Sequence, residues 1–355
     1  MSEERKIRAG FIGCGGHAFR NVYPTFQFAP VDLIATCDLD ADRAKQFARQ
    51  FGAHNSYTNH HEMLEKEDLD AVFIVTGYDE QNHPLYPPLA IDCMRAGCHA
   101  WIEKPPASSA AEIEAMMAVE KETGKFVLVG VKKAFFPAIQ RMKEITERPE
   151  FGGVTSINIK YPQYIPAEDE KVLENSAKMR GFLDHLVHPG SIIDYVMGPI
   201  RHIYYERSPN GGGVVSMKFM SDATGVLHLS AGRSGTSPLE RVEVVGNGAN
   251  VIVANGVKLT YYRKGGRGAG GYGRATNFMG SDDEAPIYWE PEWSLGQLYN
   301  KQIFLLGYAF EVIEFAECVL ENRYPTRGCL ASALALMKLY EAFKKPPGEV
   351  IVVNG

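Results

Sequence analysis

Three residue types in this chain stand at spacings that suit moving a proton. Asp184 and His188, in Gly181-Phe182-Leu183-Asp184-His185-Leu186-Val187-His188, lie four residues apart. If this segment begins a helix, both side chains share a face. A carboxylate beside an imidazole fixes its orientation and raises its basicity. Leu183, Leu186 and Val187 imply a partly buried position. A purely structural Asp–His pair inside a helical interface fits the same spacing, and His185 competes with His188. The third residue is Lys104, in Glu103-Lys104-Pro105, directly after an apolar run ending at Ile102. Ligands of open parallel sheets bind at the carboxyl ends of strands, which aims Lys104 at such a crevice. A surface turn is the plain alternative, since Pro105-Pro106 is enough to end a strand.

A second constellation points to a dinucleotide. Ile7-Arg8-Ala9-Gly10-Phe11-Ile12 runs into Gly13-Cys14-Gly15-Gly16-His17-Ala18, a G-x-G-x-x-A pattern between a strand and a helix. Gly13 permits the tight turn, Gly15 lets backbone approach a pyrophosphate, and Ala18 lets the helix pack on the sheet. The helix N-terminus then offers free N–H groups to the phosphates. Asp38 ends the second strand about twenty residues further on, where a carboxylate holds ribose hydroxyls. The competing reading of Asp38 is a helix N-cap. Its charge opposes a 2′-phosphate, so NAD is expected over NADP, and Arg43, one turn beyond, softens that preference. Thr76 follows a further strand.

The elements that must position these residues alternate. Ile7 to Ile12, Leu33 to Cys37, Ala71 to Val75, Ala100 to Ile102 and Phe126 to Val129 are compact apolar runs. Stretches of helical length, such as Asp40 to Phe51 and Ser108 to Thr123, separate them, the second with a Ser109/Glu112 capping box. That order predicts a doubly wound parallel sheet. From Val154 onward short strands and turn signals (Pro209-Asn210-Gly211-Gly212, Asn247-Gly248) predict a large, mostly antiparallel sheet in an α+β domain. Helices over Gln302 to Glu321 and Leu330 to Lys344 follow. The expected division is an α/β dinucleotide domain over 1–130 and a substrate-binding and oligomerisation domain over 131–355.

Composition narrows the class. The chain has 355 residues, 45% of them hydrophobic, which suits two domains. A net charge of -6 argues against nucleic acid or an acidic membrane as partner. The glycine-rich run Lys264 to Arg274 is read as a loop rather than an RNA-binding tract. The charged start, Met1 to Arg8, lacks the apolar run of a signal peptide, and no stretch is long enough to span a membrane. The six cysteines form no C-x-x-C pair and no zinc spacing, so free thiols in a reducing, cytoplasmic compartment are expected.

Taken in order, these motifs resemble the Gfo/Idh/MocA oxidoreductases, and the likeness covers nearly the whole chain. Gly13, Gly15 and Ala18 match that family's glycine motif, Met94 to Pro105 echoes the segment leading into its E-K-P, and Asp184 with His188 matches its D-x-x-x-H. The chain departs at Ser191, where the family often has Asp, in the longer loop from Thr76 to His83, and in Val131 to Pro137. The resemblance implies NAD-dependent hydride transfer to or from a secondary alcohol of a sugar, polyol or glycoside, with glycoside 3-oxidation as one version. His188 is then the general base, Lys104 holds the hydroxyl oxygen, and Asp184 orients His188 or accepts a neighbouring hydroxyl; the roles of Lys104 and His188 are interchangeable. Gly13, Gly15, Gly16, His17, Ala18, Asp38, Arg43, Thr76, His83, Glu103 and Lys104 are expected to hold the cofactor. Lys132, Lys133, Asp184, His185 and Trp289 are expected to hold substrate, with Tyr288 to Trp293 as an aromatic platform or an interface. No metal is expected, and a homodimer or homotetramer is. The alternatives are a glycoside-cleaving enzyme that uses transient oxidation and a non-catalytic NAD-sensing binder.

Overall fold

The computed structural model describes residues 5–167, 176–264, 285–290 and 301–354. The chain divides into two compact units, the first within Met1–Phe135, Glu174–Ser191 and Asn300–Glu341, the second within Phe136–Leu173, Ile192–Tyr299 and Ala342–Gly355.

The first unit carries a six-stranded sheet: β1 (Ile7–Ile12), β2 (Val31–Cys37), β3 (Asn55–Tyr57), β4 (Ala71–Ile74), β5 (His99–Glu103) and β6 (Val127–Gly130). Its order is β3-β2-β1-β4-β5-β6 and every pairing is parallel. β4, β5 and β6 are buried along their whole length. Strands covered on both faces must be apolar throughout, which is why they read as unbroken apolar runs. The order reverses between β1 and β4, the switch point at which such sheets open a crevice. Phe11, Phe73, Trp101 and Phe315 are fully buried in this core, with Phe73 and Phe315 meeting edge to face at 5.2 Å.

Local sequence explains the crossovers. Helix α1 (Ala41–Phe51) begins at Asp40, whose side chain accepts from the Asp42 and Arg43 N–H groups. Helices α2 (His60–Lys66) and α3 (Tyr86–Arg95) flank β4 in the chain, and α4 (Ala110–Thr123) starts with the expected Ser109/Glu112 capping box. β3 and α2 were not expected from the sequence. The helix after the glycine turn is irregular: a π-helix over Ala18–Val22 runs into a 3₁₀ turn over Tyr23–Gln27. Pro24 accounts for this, because its ring excludes the carbonyl an α-helix would place four residues back.

The second unit holds α5 (Pro137–Thr146) and nine strands: β7 (Val154–Tyr161), β8 (Ile200–Arg207), β9 (Gly213–Phe219), β10 (Thr224–Leu229), β11 (Arg241–Gly246), β12 (Asn250–Ala254), β13 (Lys258–Tyr262), β14 (Ile287–Trp289) and β15 (Val350–Val352). They form one sheet in the order β14-β13-β12-β11-β7-β10-β9-β8-β15, parallel only between β7 and β10. Buried and exposed positions alternate along β7 and β9 to β13, as in a sheet with one covered face.

Three further helices complete the described residues after β7, in addition to α6 (Ser176–Met197). The expected helix from Gln302 is broken into α7 (Lys301–Leu305) and α8 (Tyr308–Glu321), and α9 spans Leu330–Ala342. The break is Gly307, at φ +78°, where a Cβ would lie 2.3 Å from the Lys132 carbonyl oxygen. No other residue fits that contact. Among the described residues, no helix is long and apolar enough to cross a membrane.

Candidate active site

The turn after β1 is built for close approach. Gly13 has φ +101°, and a Cβ there would lie 2.0 Å from the Val75 carbonyl oxygen. At Gly15 and Gly16 a Cβ would meet nothing within 4 Å, so this backbone faces open space. That space is a cavity of about 770 Å³, lined by residues 12–18, by Cys37 to Asp40, Arg43, Thr58 and His60, and by Val75 to Gly77, Leu85 and Leu89. Its volume is in the range of cofactor sites. Ala18 is fully buried beneath it.

Asp38 is half-buried on this wall. Its Oδ2 accepts from the Cys14 N–H at 2.8 Å and its Oδ1 from the Asp40 N–H at 2.9 Å. Asp38 therefore ties the end of β2 to the glycine turn, and the N-cap role falls to Asp40. Arg43 Nη1 lies 3.6 Å from Asp38 Oδ1. The Thr76 hydroxyl is buried without a hydrogen-bond partner, while its carbonyl accepts from Tyr86. A buried orphan hydroxyl on a cavity wall is the mark of a missing polar ligand. The glycine backbone, the Asp38 carboxylate and the Thr76 hydroxyl thus fit a dinucleotide. His83 is different: it is exposed, pairs with Asp79 across 3.4 Å, and is not among the residues lining the cavity.

A polar cluster continues from this wall. Glu103, 3% exposed at the end of β5, meets the His17 Nε2 at 2.7 Å through Oε1 and accepts from the Lys104 N–H through Oε2. Lys104 Nζ donates to Asp184 Oδ1 at 2.7 Å. The strand end and helix α6 are thereby joined by an ion pair that is only partly exposed. Asp184 and His188 stand one turn apart within α6, as their spacing predicts, though mid-helix rather than at its start. His185 is exposed. Asp184 bonds to Lys104, the partner that sequence spacing does not reveal.

Burial sets protonation here. His188 titrates well below the usual imidazole range, because burial disfavours its cation and because Lys133, Lys104, Lys132 and His185 repel it. Lys132 is lowered by burial, against the pull of Glu311 and Glu103. Its Nζ donates to the Tyr308 hydroxyl at 3.0 Å and lies 4.6 Å from that ring's centroid. Lys133 is 5% exposed in the same short turn, Lys132–Phe135. Glu311 is fully buried, and neither carboxyl oxygen has a hydrogen-bond partner. Burial first, then the charge of Glu103, pushes it well above the usual carboxylate range, so it is held protonated.

Sequence reasoning missed Tyr308 and Glu311, which come to the cluster on α8, and Tyr78. Burial, then the charge of Asp184, raises the Tyr78 phenol to about 12, and the Arg180 guanidinium lies 4.5 Å from its ring centroid. The only cue was the Thr76 to His83 loop itself. Trp289 lies on the edge strand β14 of the second unit, opposite Leu259. Trp293 and the glycine-rich run from residue 265 lie outside the described residues.

Residues 7–131 match the oxidoreductase family with an NAD-binding Rossmann fold, GFO_IDH_MocA. The myo-inositol 2-dehydrogenase of Thermotoga maritima is 24% identical over 263 residues, 70% of this chain and 75% of that one. The trans-1,2-dihydrobenzene-1,2-diol dehydrogenase of Mus musculus is 26% identical over 148 residues, 41% of this chain and 43% of that one. The match thus spans less than half of the mouse relative's length. An oxidoreductase from Agrobacterium radiobacter, solved with NAD+, L-tartaric acid and magnesium, shares the fold with a TM-score of 0.77 at 15% identity, covering 98% of both chains. The α/β unit with its glycine turn matches, over residues 7–131, the NAD-binding Rossmann domain of the Gfo/Idh/MocA oxidoreductases.

Proposed function

We propose that the protein is an NAD-dependent dehydrogenase that oxidises a secondary alcohol of a sugar, polyol or glycoside. The observation that carries this reading is the Lys104–Asp184 ion pair, with His188 one turn further along α6 and Glu103 linking Lys104 to His17 on the cofactor wall. NAD, which the glycine turn, Asp38 and Thr76 would hold, would supply the hydride acceptor. The chain's own residues manage the hydroxyl. Asp184 aims the Lys104 side chain through their 2.7 Å bond, and the lysine stabilises negative charge on the substrate oxygen. His188, neutral at neutral pH, takes the hydroxyl proton on a ring nitrogen as the carbon gives up hydride. The alcohol thus loses one hydride and one proton and leaves as a ketone.

A neutral polyol suits this set better than a carboxylate or phosphate. Lys104 is already neutralised by Asp184, and Lys132 is committed to Tyr308. The relatives named above act, by their names, on inositol and a cyclic diol, which supports an alcohol substrate. The test is incubation with NAD and a panel of polyols, sugars and glycosides, read by NADH absorbance. Steady NADH formation with at least one alcohol is expected. Cleavage of a glycoside without NADH release would replace this reading by the transient-oxidation one, and NAD binding without turnover of any of them would favour a sensor.

Assembly belongs to the same proposal. The second unit's sheet leaves Val214, Val245, Tyr262 and Tyr288 exposed, and we infer a homo-oligomer through it. A stable monomer in light scattering would overturn that inference.

A further inference from the structure

Away from the Lys104 cluster, two imidazoles and a carboxylate converge on one point. His60 and His61 open α2, after Asn59, whose side chain caps the helix by accepting from the His61 N–H at 2.8 Å. Asp92 comes from α3. His60 Nε2 lies 3.0 Å and His61 Nε2 3.7 Å from the same Asp92 oxygen, Oδ2. All three atoms lie within 4.8 Å of one another, and this is the one such group of three among the described residues.

These spacings suit a shared ion. With bonds of about 2.0–2.1 Å, two ligands of a tetrahedral cation stand roughly 3.3 Å apart. The two distances to Asp92 fall on either side of that value, so a small rotation of His61 would equalise them. Two imidazoles with one carboxylate select borderline cations such as Zn²⁺, Co²⁺ or Ni²⁺ over Mg²⁺ and Ca²⁺, which take oxygen ligands. Three protein ligands leave a position for water. Access is open, because the His61 side chain is 66% exposed. His60 also lines the cofactor cavity, next to Thr58.

We propose that His60, His61 and Asp92 bind one borderline divalent cation, which clamps α2 to α3 at the rim of the cofactor cavity and thereby changes NAD affinity. Because linkage is reciprocal, NAD must change the cation's affinity by the same factor. Sequence spacing conceals the site, since Asp92 lies 32 residues beyond His60.

The test is calorimetric titration of the tag-free, metal-stripped full chain with ZnCl₂, with and without NAD. One ion per chain is expected, weakened about tenfold or more in both His61→Ala and Asp92→Asn. Cobalt in place of zinc should give the visible absorption of a tetrahedral site, lost in both variants. Metal-free NAD binding should match wild type in both, which shows that they fold. NAD affinity should shift with Zn²⁺ in wild type and not in His61→Ala. No saturable binding, or variants that bind like wild type, would overturn the site. An NAD affinity indifferent to Zn²⁺ would overturn its link to the cavity. Because all six cysteines are buried, surface thiols do not compete for the ion.

Discussion

The wall around Asp38 and the cluster around Lys104 lie in the same unit and use the same residue types, yet their charges are set in different ways. Asp38 accepts two backbone N–H groups and stands beside an exposed Arg43. Its charge is simply held in place for a ligand to meet. Around Lys104, burial governs: Glu311 is driven toward its acid form, and His188 and Lys132 toward their neutral forms. The first region presents a preset charge. In the second, desolvation sets proton affinity, as the proposed proton transfer requires.

The sharpest way to break that contrast is to delete the groups of the buried cluster. Lys104→Ala should lower turnover about 10³-fold or more, while NAD affinity, measured by fluorescence titration, stays within about threefold of wild type. His188→Ala should cost roughly 10²–10⁴-fold. Because burial lowers the His188 pKa, the wild-type acid limb should fall well below pH ~6.5, the unperturbed imidazole value. Activity that survives both replacements would place the chemistry elsewhere.

Asp38→Ala addresses the other region. It should weaken NAD binding and narrow the preference over NADP by about tenfold, equivalent to ~1.4 kcal/mol, with little effect on turnover at saturation. Tighter NADP than NAD binding by wild type would sink the assignment.

The smallest effect on turnover is expected from Glu311→Gln, which replaces a neutral acid by a neutral amide. Its signature lies in stability. A carboxyl whose folded pKa is raised stabilises most at low pH and loses that contribution as pH rises from the ordinary carboxylate range through the folded pKa. Wild type should therefore lose up to ~1.4 kcal/mol per pH unit across that window in denaturant titrations, and the glutamine variant should not show this loss. Parallel curves for the two proteins would mean that Glu311 is ionised in the fold.

Much of the first unit was legible because its determinants are local. A strand buried on both faces has to be apolar throughout, a turn that cannot admit a Cβ has to be glycine, and Asp184 and His188 share a helix face by spacing alone. What stayed hidden depends on contacts between distant residues. The Lys132–Tyr308 bond joins positions 176 apart, and nothing in the apolar stretch around Glu311 marks it as facing a lysine. The single long helix expected from Gln302 failed for the same reason: Gly307 is tolerable in a helix, and only the Lys132 carbonyl pressing on it explains the break. β3, β14 and β15 have three residues each, too few for a period to show.

All six thiols are buried, and burial lifts Cys37 and Cys98 to about 11 and Cys14 and Cys318 to about 12. At neutral pH almost no thiolate forms on these four, and burial shields them from alkylating reagents in the closed fold. Each sulfur is therefore a silent clock that starts when its own neighbourhood opens. Cys14 sits in the glycine turn and Cys318 on α8, so the order in which they become labelled reads out which part of the same unit loosens first, and NAD should slow the Cys14 clock before the other.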